Sequence, residues 1–324
     1  MRKIALSPAD YRLAFVVLGV VALVPLAVRS EYWLGVVITG LYFAMLAQNW
    51  NLLAGITGLF SMAPAAFAIV GAYTTGLLYH HAGLGPWIGV PAAALVSAAV
   101  GFGLGRITLR LRGAYLALTT LAFSEILRLV IANSIEWTRG DLGLSVVGIF
   151  GGAKLPILYL FLGVLTAYQV LLMLLLRSRV GLFLLAIRDD EVGAVARGVD
   201  VVRYKTLAFT ISSAGCGIAG ALFVHFLQLA SPELGLILQT GLVISMVVIG
   251  GMGTVTGPLV GALLMEVAAE ALREVGVRHL LVFSAMVILV GRFFREGLMG
   301  AVARLRRGAR LVAQPTSSDA ERLA

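Results

Sequence analysis

Two charged side chains lie inside a long apolar segment of the chain. Glu125 and Arg128 are three positions apart within residues 114–133, so a helix would place them on one face. An unpaired charge at the centre of a bilayer costs about 2.5–3.5 kcal/mol on insertion scales. We therefore expect both to face protein or water, and to pair with each other. They are candidates for a gate or lining of a solute path, although a self-neutralising pair that fixes helix packing is the favoured interpretation.

Three carboxamide side chains precede a glycine-rich segment in the N-terminal part of the chain. They are Gln48, Asn49 and Asn51, and residues 55–64 follow with two glycines and a final proline. Carboxamides can coordinate a polar solute beside a path, or they can cap the end of a helix. Capping is the favoured interpretation of this cluster.

A second glycine-rich segment, residues 250–258, interrupts the apolar C-terminal part and contains the candidate path residues Gly251 and Gly253. Two such breaks, one in each half, are typical of transporters with discontinuous helices. Short loops that turn one helix into the next would have the same composition, and the sequence leaves both interpretations open. Gly253, Gly257 and Gly261 recur at every fourth position, which predicts close helix packing along one face.

The residues point to no enzymatic chemistry. There is no Ser/His/Asp arrangement, and the four histidines lack partners at metal-ligand spacing. Residues 215–220 match G-x-G-x-x-G, but they lie in an apolar helical segment with no strand before it, so a dinucleotide site is not expected. No G-x-x-x-x-G-K-[ST] phosphate loop is present. We expect a non-enzyme with no catalytic residue, no metal site and no cofactor on this chain.

The composition indicates that these residues lie in a membrane. Of the 324 residues, 60% are hydrophobic and 13% are charged, and the mean hydropathy is +0.98. A soluble domain is about 45–50% apolar and about 25% charged, so a globule of this size could not bury the excess. The formal net charge is +9. The basic residues form short clusters between apolar stretches, which favours membrane orientation over nucleic-acid binding.

The apolar stretches predict the fold class, because a span needs about 20 helical residues to cross about 30 Å of hydrocarbon. The predicted spans are 13–29, 33–54, 59–79, 86–105, 114–133, 156–176, 206–229 and 278–294, with two more segments in 233–275. We predict an all-α polytopic membrane protein of about ten transmembrane segments, including broken or re-entrant helices. The basic clusters place both termini in the cytoplasm. Residues 1–294 form the transmembrane domain and residues 295–324 a basic cytoplasmic tail.

The longest structured loop is predicted within residues 177–205, on the cytoplasmic side. Apolar residues at 184, 187, 192, 195 and 199 follow helical spacing and predict a short amphipathic helix over 180–199. Three consecutive acids from Asp189 to Glu191 interrupt the apolar face. The cytoplasmic leaflet is negatively charged, so these acids favour docking to a soluble partner over adsorption to lipid.

Three motifs occur in order along the chain. They are residues 115–126, residues 188–199 continuing into 202–209, and residues 250–254 followed by Gly257-Pro258. In these motifs, and over most of residues 49–292, the chain resembles the permease family of branched-chain amino acid ABC importers, of the LivM type. Members usually carry basic residues where this chain has Leu182 and Leu185, so its predicted docking helix is more apolar.

The resemblance implies an architecture like that of type II ABC importers, in the bacterial plasma (inner) membrane. The implied partners are a sister permease, two cytoplasmic ATP-binding subunits and a periplasmic or extracellular solute-binding protein, with ATP and Mg bound by the partner subunits. Residues 177–205 would be the loop that couples the permease to the ATPase. The residues expected to meet the ATPase are Arg188, Asp189, Asp190, Glu191 and Arg197. The expected substrates are branched-chain amino acids, or related small polar solutes such as urea and short amides.

Two other classes of function remain as alternatives. An ion-coupled secondary transporter would use Glu125 as its proton carrier and would need no ATPase. A membrane scaffold that transports nothing would need neither the intramembrane Glu125 nor the glycine-rich breaks.

Overall fold

A computed structural model describes residues 8–27, 30–108, 111, 113–273 and 297–300. These residues are almost entirely helical. The α-helices are α1 (Pro8–Ala27), α2 (Glu31–Asn51), α3 (Pro64–Ala82), α4 (Pro86–Thr108), α5 (Ala114–Asn133), α6 (Ile135–Thr138), α7 (Lys154–Arg177), α8 (Arg179–Asp189), α9 (Glu191–Ala196), α10 (Val201–Leu227), α11 (Ile237–Gly250) and α12 (Gly257–Arg273). A π-helical turn, Leu52–Thr57, continues α2, and 3₁₀ turns cover Gly140–Leu142, Ile149–Gly152 and Pro232–Gly235.

Two short strands pair near one end of α10. The strands β1 (Leu144–Ser145) and β2 (Leu229–Ala230) are antiparallel, with Leu144 opposite Ala230. They hold the connection between α6 and α7 against the segment that follows α10. Sequence patterns did not predict this pairing, because each strand has only two residues.

The predicted all-α class is confirmed for the described residues, and the predicted total of about ten transmembrane segments stays a prediction. Within the described ranges, six helices are long and apolar enough to span a bilayer, namely 10–27, 31–57, 86–108, 114–133, 154–177 and 201–227. The interruption predicted in 233–275 is also present, because α11 ends at Gly250 and α12 begins at Gly257. Helix α3 begins later than predicted, at Pro64, whose missing N–H and fixed φ suit the first helical turn. The predicted span 278–294, and all of the tail 295–324 except 297–300, lie outside the described residues.

Helix α10 packs against α3 and α4 with almost no side chain between the backbones. A Cβ added to Gly71 of α3 would lie 2.0 Å from the carbonyl oxygen of Gly217, and one on Gly220 would lie 2.0 Å from that of Ala68. Residues 215–220, which match a dinucleotide-binding pattern, are therefore a helix-packing surface. Cys216, between two of these glycines, is completely buried.

The glycines of 250–261 divide into two groups. Gly261 of α12 faces α11, since a Cβ there would lie 2.0 Å from the carbonyl oxygen of Met246, and a Cβ on Gly250 would lie 1.9 Å from that of Gly257. Gly253 lies outside the helix at φ +79°, a conformation that favours glycine. The predicted common helix face is therefore correct for Gly257 and Gly261 and wrong for Gly253.

We predict that Gly71→Ala destabilises the protein by about 1–3 kcal/mol, because the new methyl group would overlap the backbone of α10. The measurement is the thermal unfolding midpoint of the purified protein in detergent. Gly163→Ala in α7 is the matched control, because nothing lies within 4 Å of a Cβ at that position. An unchanged midpoint for Gly71→Ala would contradict the close approach of α3 and α10.

Candidate functional site

The segment between α11 and α12, residues 251–256, is mostly buried, and polar side chains of α2 bind its backbone. The Asn51 carboxamide donates to the carbonyl oxygen of Thr254 at 2.8 Å and accepts from the N–H of Gly253 at 2.7 Å. Gln48 donates to the carbonyl oxygen of Val255 at 2.7 Å. A carboxamide both donates and accepts, so it can satisfy N–H and C=O groups that no helix pairs.

These contacts correct the prediction that Gln48, Asn49 and Asn51 cap the end of α2. The chain continues from α2 into a π-helical turn, so no helix terminus is exposed at these residues. Gln48 and Asn51 instead hold residues 251–256. Gly55 provides the space for this arrangement, because a Cβ there would lie 2.0 Å from Asn51 Oδ1 and 2.7 Å from the nitrogen of Gly253.

Asn49 has a different role and connects three helices. Its carboxamide donates to the carbonyl oxygen of Met45 at 2.7 Å and accepts a hydrogen bond from the Tyr168 hydroxyl of α7. The hydroxyl of Ser212 in α10 donates to the backbone carbonyl of Asn49 at 2.9 Å. A Cβ on Gly215 would overlap the Asn49 side chain, so the glycine permits this contact. The described contacts of Asn49 are thus with its own helix and with α7 and α10.

Residues 178–196 form two helices, which corrects the prediction of one amphipathic helix over 180–199. Asp190 has an extended backbone, with φ −157° and ψ 99°, and its carboxylate accepts from the N–H of Gly193 at 3.0 Å. It therefore caps the N-terminus of α9, while the Ser178 hydroxyl caps α8. Leu184 and Ile187 of α8 are buried as the spacing predicts. Val192 and Val195 of α9 are instead 68% and 58% exposed.

Arg188, near the end of α8, lies close to both glycine-rich breaks. A Cβ on Gly58 would lie 3.3 Å from Arg188 Cγ, and a Cβ on Gly253 would lie 3.0 Å from a guanidinium nitrogen of the same residue. Both glycines have positive φ, at +79°. The structure therefore brings together the predicted coupling residue Arg188, the predicted path residue Gly253 and the first glycine-rich break, which are far apart in the sequence.

The other residues predicted to meet an ATPase are placed differently. Glu191 forms an ion pair with Lys205 of α10, 2.8 Å between Oε2 and Nζ, and the lysine is buried. Asp189 and Arg197 are exposed. Asp190 thus caps α9 within the segment, and Glu191 joins the segment to α10 through its ion pair with Lys205.

Glu125 and Arg128 pair with each other, as predicted. The Arg128 Nε donates to both carboxylate oxygens at 3.1 Å, and a terminal guanidinium nitrogen forms the ion pair itself. The Glu125 side chain is 44% exposed, so the pair lies on the surface of the bundle. Among the described residues, no hydrogen bond or ion pair joins Glu125 or Arg128 to residues 251–256. Gly251, the remaining candidate, is buried next to Gly297.

Two further polar residues were missed by sequence reasoning. Asp10, in the first turn of α1, accepts hydrogen bonds from residues 255 and 256. Its signal in the sequence was a single acid next to an apolar stretch, which gives no indication of a partner 245 positions away. His225 has partners at both ring nitrogens, because it contacts the carbonyl oxygen of Val147 at 2.7 Å and the hydroxyl of Thr75 at 2.8 Å.

The described part of the chain contains no group of three or more His, Cys, Asp or Glu residues that could hold a metal ion. The polar groups at residues 251–256 are carboxamides, one carboxylate, hydroxyls and one guanidinium. Their partners are mostly backbone groups of the protein. These polar groups therefore join α2 and α8 to the segment between α11 and α12.

Comparison with known proteins identifies relatives over most of the chain. The permease LivM of the high-affinity branched-chain amino acid transport system of Salmonella typhimurium is 34% identical over 286 residues, which cover 79% of this chain and 67% of the relative. The LivM protein of Escherichia coli is 33% identical over the same shares. The LivH permease of the Salmonella system is 22% identical, covering 81% of this chain and 92% of the relative. No solved structure matches the chain significantly.

The family model described as the permease component of the branched-chain amino acid transport system matches residues 32–291. That range includes the two breaks, the α5 ion pair and the α8–α9 segment. The family match and the membrane-capable helices together identify the type of protein. The chain belongs to the permease family of branched-chain amino acid ABC transporters.

Proposed function

We propose that the chain is the translocation subunit of an ABC importer for branched-chain amino acids or related small polar solutes such as urea and short amides. ATP and Mg bind to two separate cytoplasmic subunits, and a periplasmic or extracellular protein delivers the solute. The observation that carries this proposal is the proximity of Arg188 to Gly58 and Gly253. A movement imposed on α8 from outside would act directly on both breaks in the helices.

The relatives support the substrate class. Both LivM proteins are named as permeases for branched-chain amino acids, and they are similar to this chain over more than three quarters of its length. Urea and short amides are kept as related substrates because, like branched-chain amino acids, they are small and carry polar groups. The α8–α9 segment would face the cytoplasm, and so would both termini, as the basic clusters favour.

A sister permease would cover the exposed face of α5. A charged pair that faces lipid at membrane depth is costly, so the surface around Glu125 must meet protein or water. The Salmonella relatives include two different permeases, LivM and LivH, of one named system. We infer that a second permease lies against α5, so that Glu125 and Arg128 are enclosed between the two subunits.

The surface that meets the ATPase would be mainly apolar. Leu182, Val192 and Val195 are all more than half exposed on α8 and α9, whereas Asp190 and Glu191 already have partners within this chain. Exposed apolar side chains on a cytoplasmic helix pair fit an apolar groove on a soluble subunit. Asp189 and Arg197 would add polar contacts at its edge.

The function is tested with membrane vesicles that contain this chain, a sister permease, the ATPase subunits and the solute-binding protein. We expect uptake of labelled leucine that requires ATP and persists when a protonophore collapses the proton gradient. Unlabelled leucine and urea, added in turn as competitors, identify the preferred substrate. ATP-independent uptake by this chain alone would contradict the proposal and favour a secondary transporter.

We expect the double variant Val192→Asp and Val195→Asp to lower co-purification of the ATPase by about tenfold, because two charges would enter an apolar contact. Leu142→Asp is the control, since Leu142 is also exposed but belongs to the turn after α6. The measurement is the amount of ATPase retained on affinity-tagged permease.

Asp190→Lys together with Glu191→Lys tests whether these two acids contribute to ATPase binding. Retained binding in the valine variant, with loss in the acid variant alone, would contradict an apolar docking surface.

We expect Glu125→Gln to retain substantial uptake, because the carboxylate already has Arg128 as a partner and no proton transfer is required of it. The measurement is the initial rate of leucine uptake per assembled complex. Complete loss of uptake with normal assembly would support the alternative, in which Glu125 carries a proton. Arg128→Gln serves as the matched variant, because it leaves the acid in place and removes its partner.

A further inference from the structure

The first turn of α1 is joined to residues 251–256 by three hydrogen bonds. The N–H of Val255 donates to Asp10 Oδ2 at 2.8 Å, and the N–H of Thr256 donates to Oδ1 at 3.3 Å. The Thr256 hydroxyl donates to the backbone carbonyl of Asp10 at 2.6 Å. Asp10 is 8% exposed. A carboxylate with so little exposure to solvent is stable only where charge-assisted hydrogen bonds replace its hydration.

The same turn of α1 also contacts the junction of α7 and α8. The guanidinium of Arg177, the last residue of α7, lies 5.0 Å from the centre of the Tyr11 ring, within the range of a cation–π contact. Arg177 directly precedes Ser178, the N-cap of α8. Adjacent residues of α1 therefore contact the segment before α12 and the beginning of the helix that carries Arg188.

Side chains from three helices, α1, α2 and α8, lie against residues 251–256. Asn51 and Gln48 bind this segment from α2, Arg188 approaches Gly253 from α8, and Asp10 binds residues 255 and 256 from α1. The Asp10 bonds fix the two N–H groups just before α12, where the partial positive charge of the helix N-terminus favours an anion. Without them, Gln48 and Asn51 of α2 would be the main side chains bound to the segment, and a displacement of Arg188 would be transmitted less directly to α12.

We propose that Asp10 is a positioning residue for solute translocation, which clamps residues 251–256 between α1 and α8 so that movement of Arg188 reaches α12. The inference rests on the proposed function, because it assumes that α8 is moved by an ATPase. The family match begins at residue 32, so the clamp is formed by a helix that lies outside the matched region. The residue acts through the segment it binds and need not touch the solute.

The test compares Asp10→Ala, Asp10→Asn and Thr256→Val in vesicles that contain the complete transporter. We expect Asp10→Ala to lower leucine uptake by about tenfold, since it removes two charge-assisted hydrogen bonds from a buried site. Asp10→Asn keeps the size and one acceptor, so its loss should be smaller. Arg12→Gln is the control, because Arg12 is an exposed residue of the same helix. This substitution also removes one charge.

The decisive readouts are the number of ATP molecules hydrolysed per solute taken up and the behaviour of a double variant. A purely structural defect lowers hydrolysis and uptake in proportion, whereas loss of the clamp raises the ATP consumed per solute. If Asp10 and Arg188 act through the same segment, Asp10→Ala combined with Arg188→Ala loses no more uptake than the worse single variant. If Asp10→Ala does not accumulate in the membrane, Thr256→Val provides the same two readouts.

The outcomes separate this inference from the proposed function. Failure of the parent complex to bind ATPase subunits or to require ATP would overturn the proposed function. If the parent complex behaves as expected but Asp10→Ala and Thr256→Val keep a normal ATP-to-solute ratio, only the clamp is overturned. Losses that multiply in the Asp10 and Arg188 double variant would overturn it as well.

Discussion

Backbone polar groups inside an apolar helix bundle must be satisfied by the protein itself, and the arrangement of residues 251–256 follows from that constraint. The segment is not helical, so its N–H and C=O groups need other partners. Gln48 and Asn51 supply them from α2, the Thr254 hydroxyl bonds to the carbonyl oxygen of Gly251, and Asp10 adds a carboxylate from α1. The interruption of the helices is therefore possible only because three distant parts of the chain meet there.

The bundle contains two kinds of helix contact. Helices α3, α4 and α10 approach each other backbone to backbone at glycines, an arrangement that leaves little room for change. Residues 251–256 approach the backbones of Gly55 and Gly297 closely, but they are also held by side-chain hydrogen bonds, and one of their neighbours is the Arg188 side chain. Side-chain bonds can be exchanged individually, whereas displacing a backbone contact requires whole helices to separate. The part of the fold that lies beside α8 is thus held in part by exchangeable contacts.

The sequence predicted features that depend on local composition. The length of apolar stretches located the spans, and the glycines with Pro64 and Pro258 located both breaks, because turns and helix ends are determined by nearby residues. Pairing of Glu125 with Arg128 was likewise predictable from a spacing of three. The role of Asn51 was not, since a carboxamide suits a helix cap as well as a loop more than 200 positions away. The break at Asp190 was missed because its capping of α9 outweighs the helical spacing of 184–199.

The complete burial of Cys216 leaves the chain without an accessible thiol. Its thiol lies between α10 and its neighbours, and it is the only sulfhydryl group in the polypeptide. A water-soluble maleimide added from either face should find no accessible native thiol to modify. A cysteine introduced at an exposed position such as Val192 would then carry a fluorophore or spin label alone, without alteration of the natural sequence elsewhere. The distance between two such labels would report directly on how far α9 travels during a transport cycle.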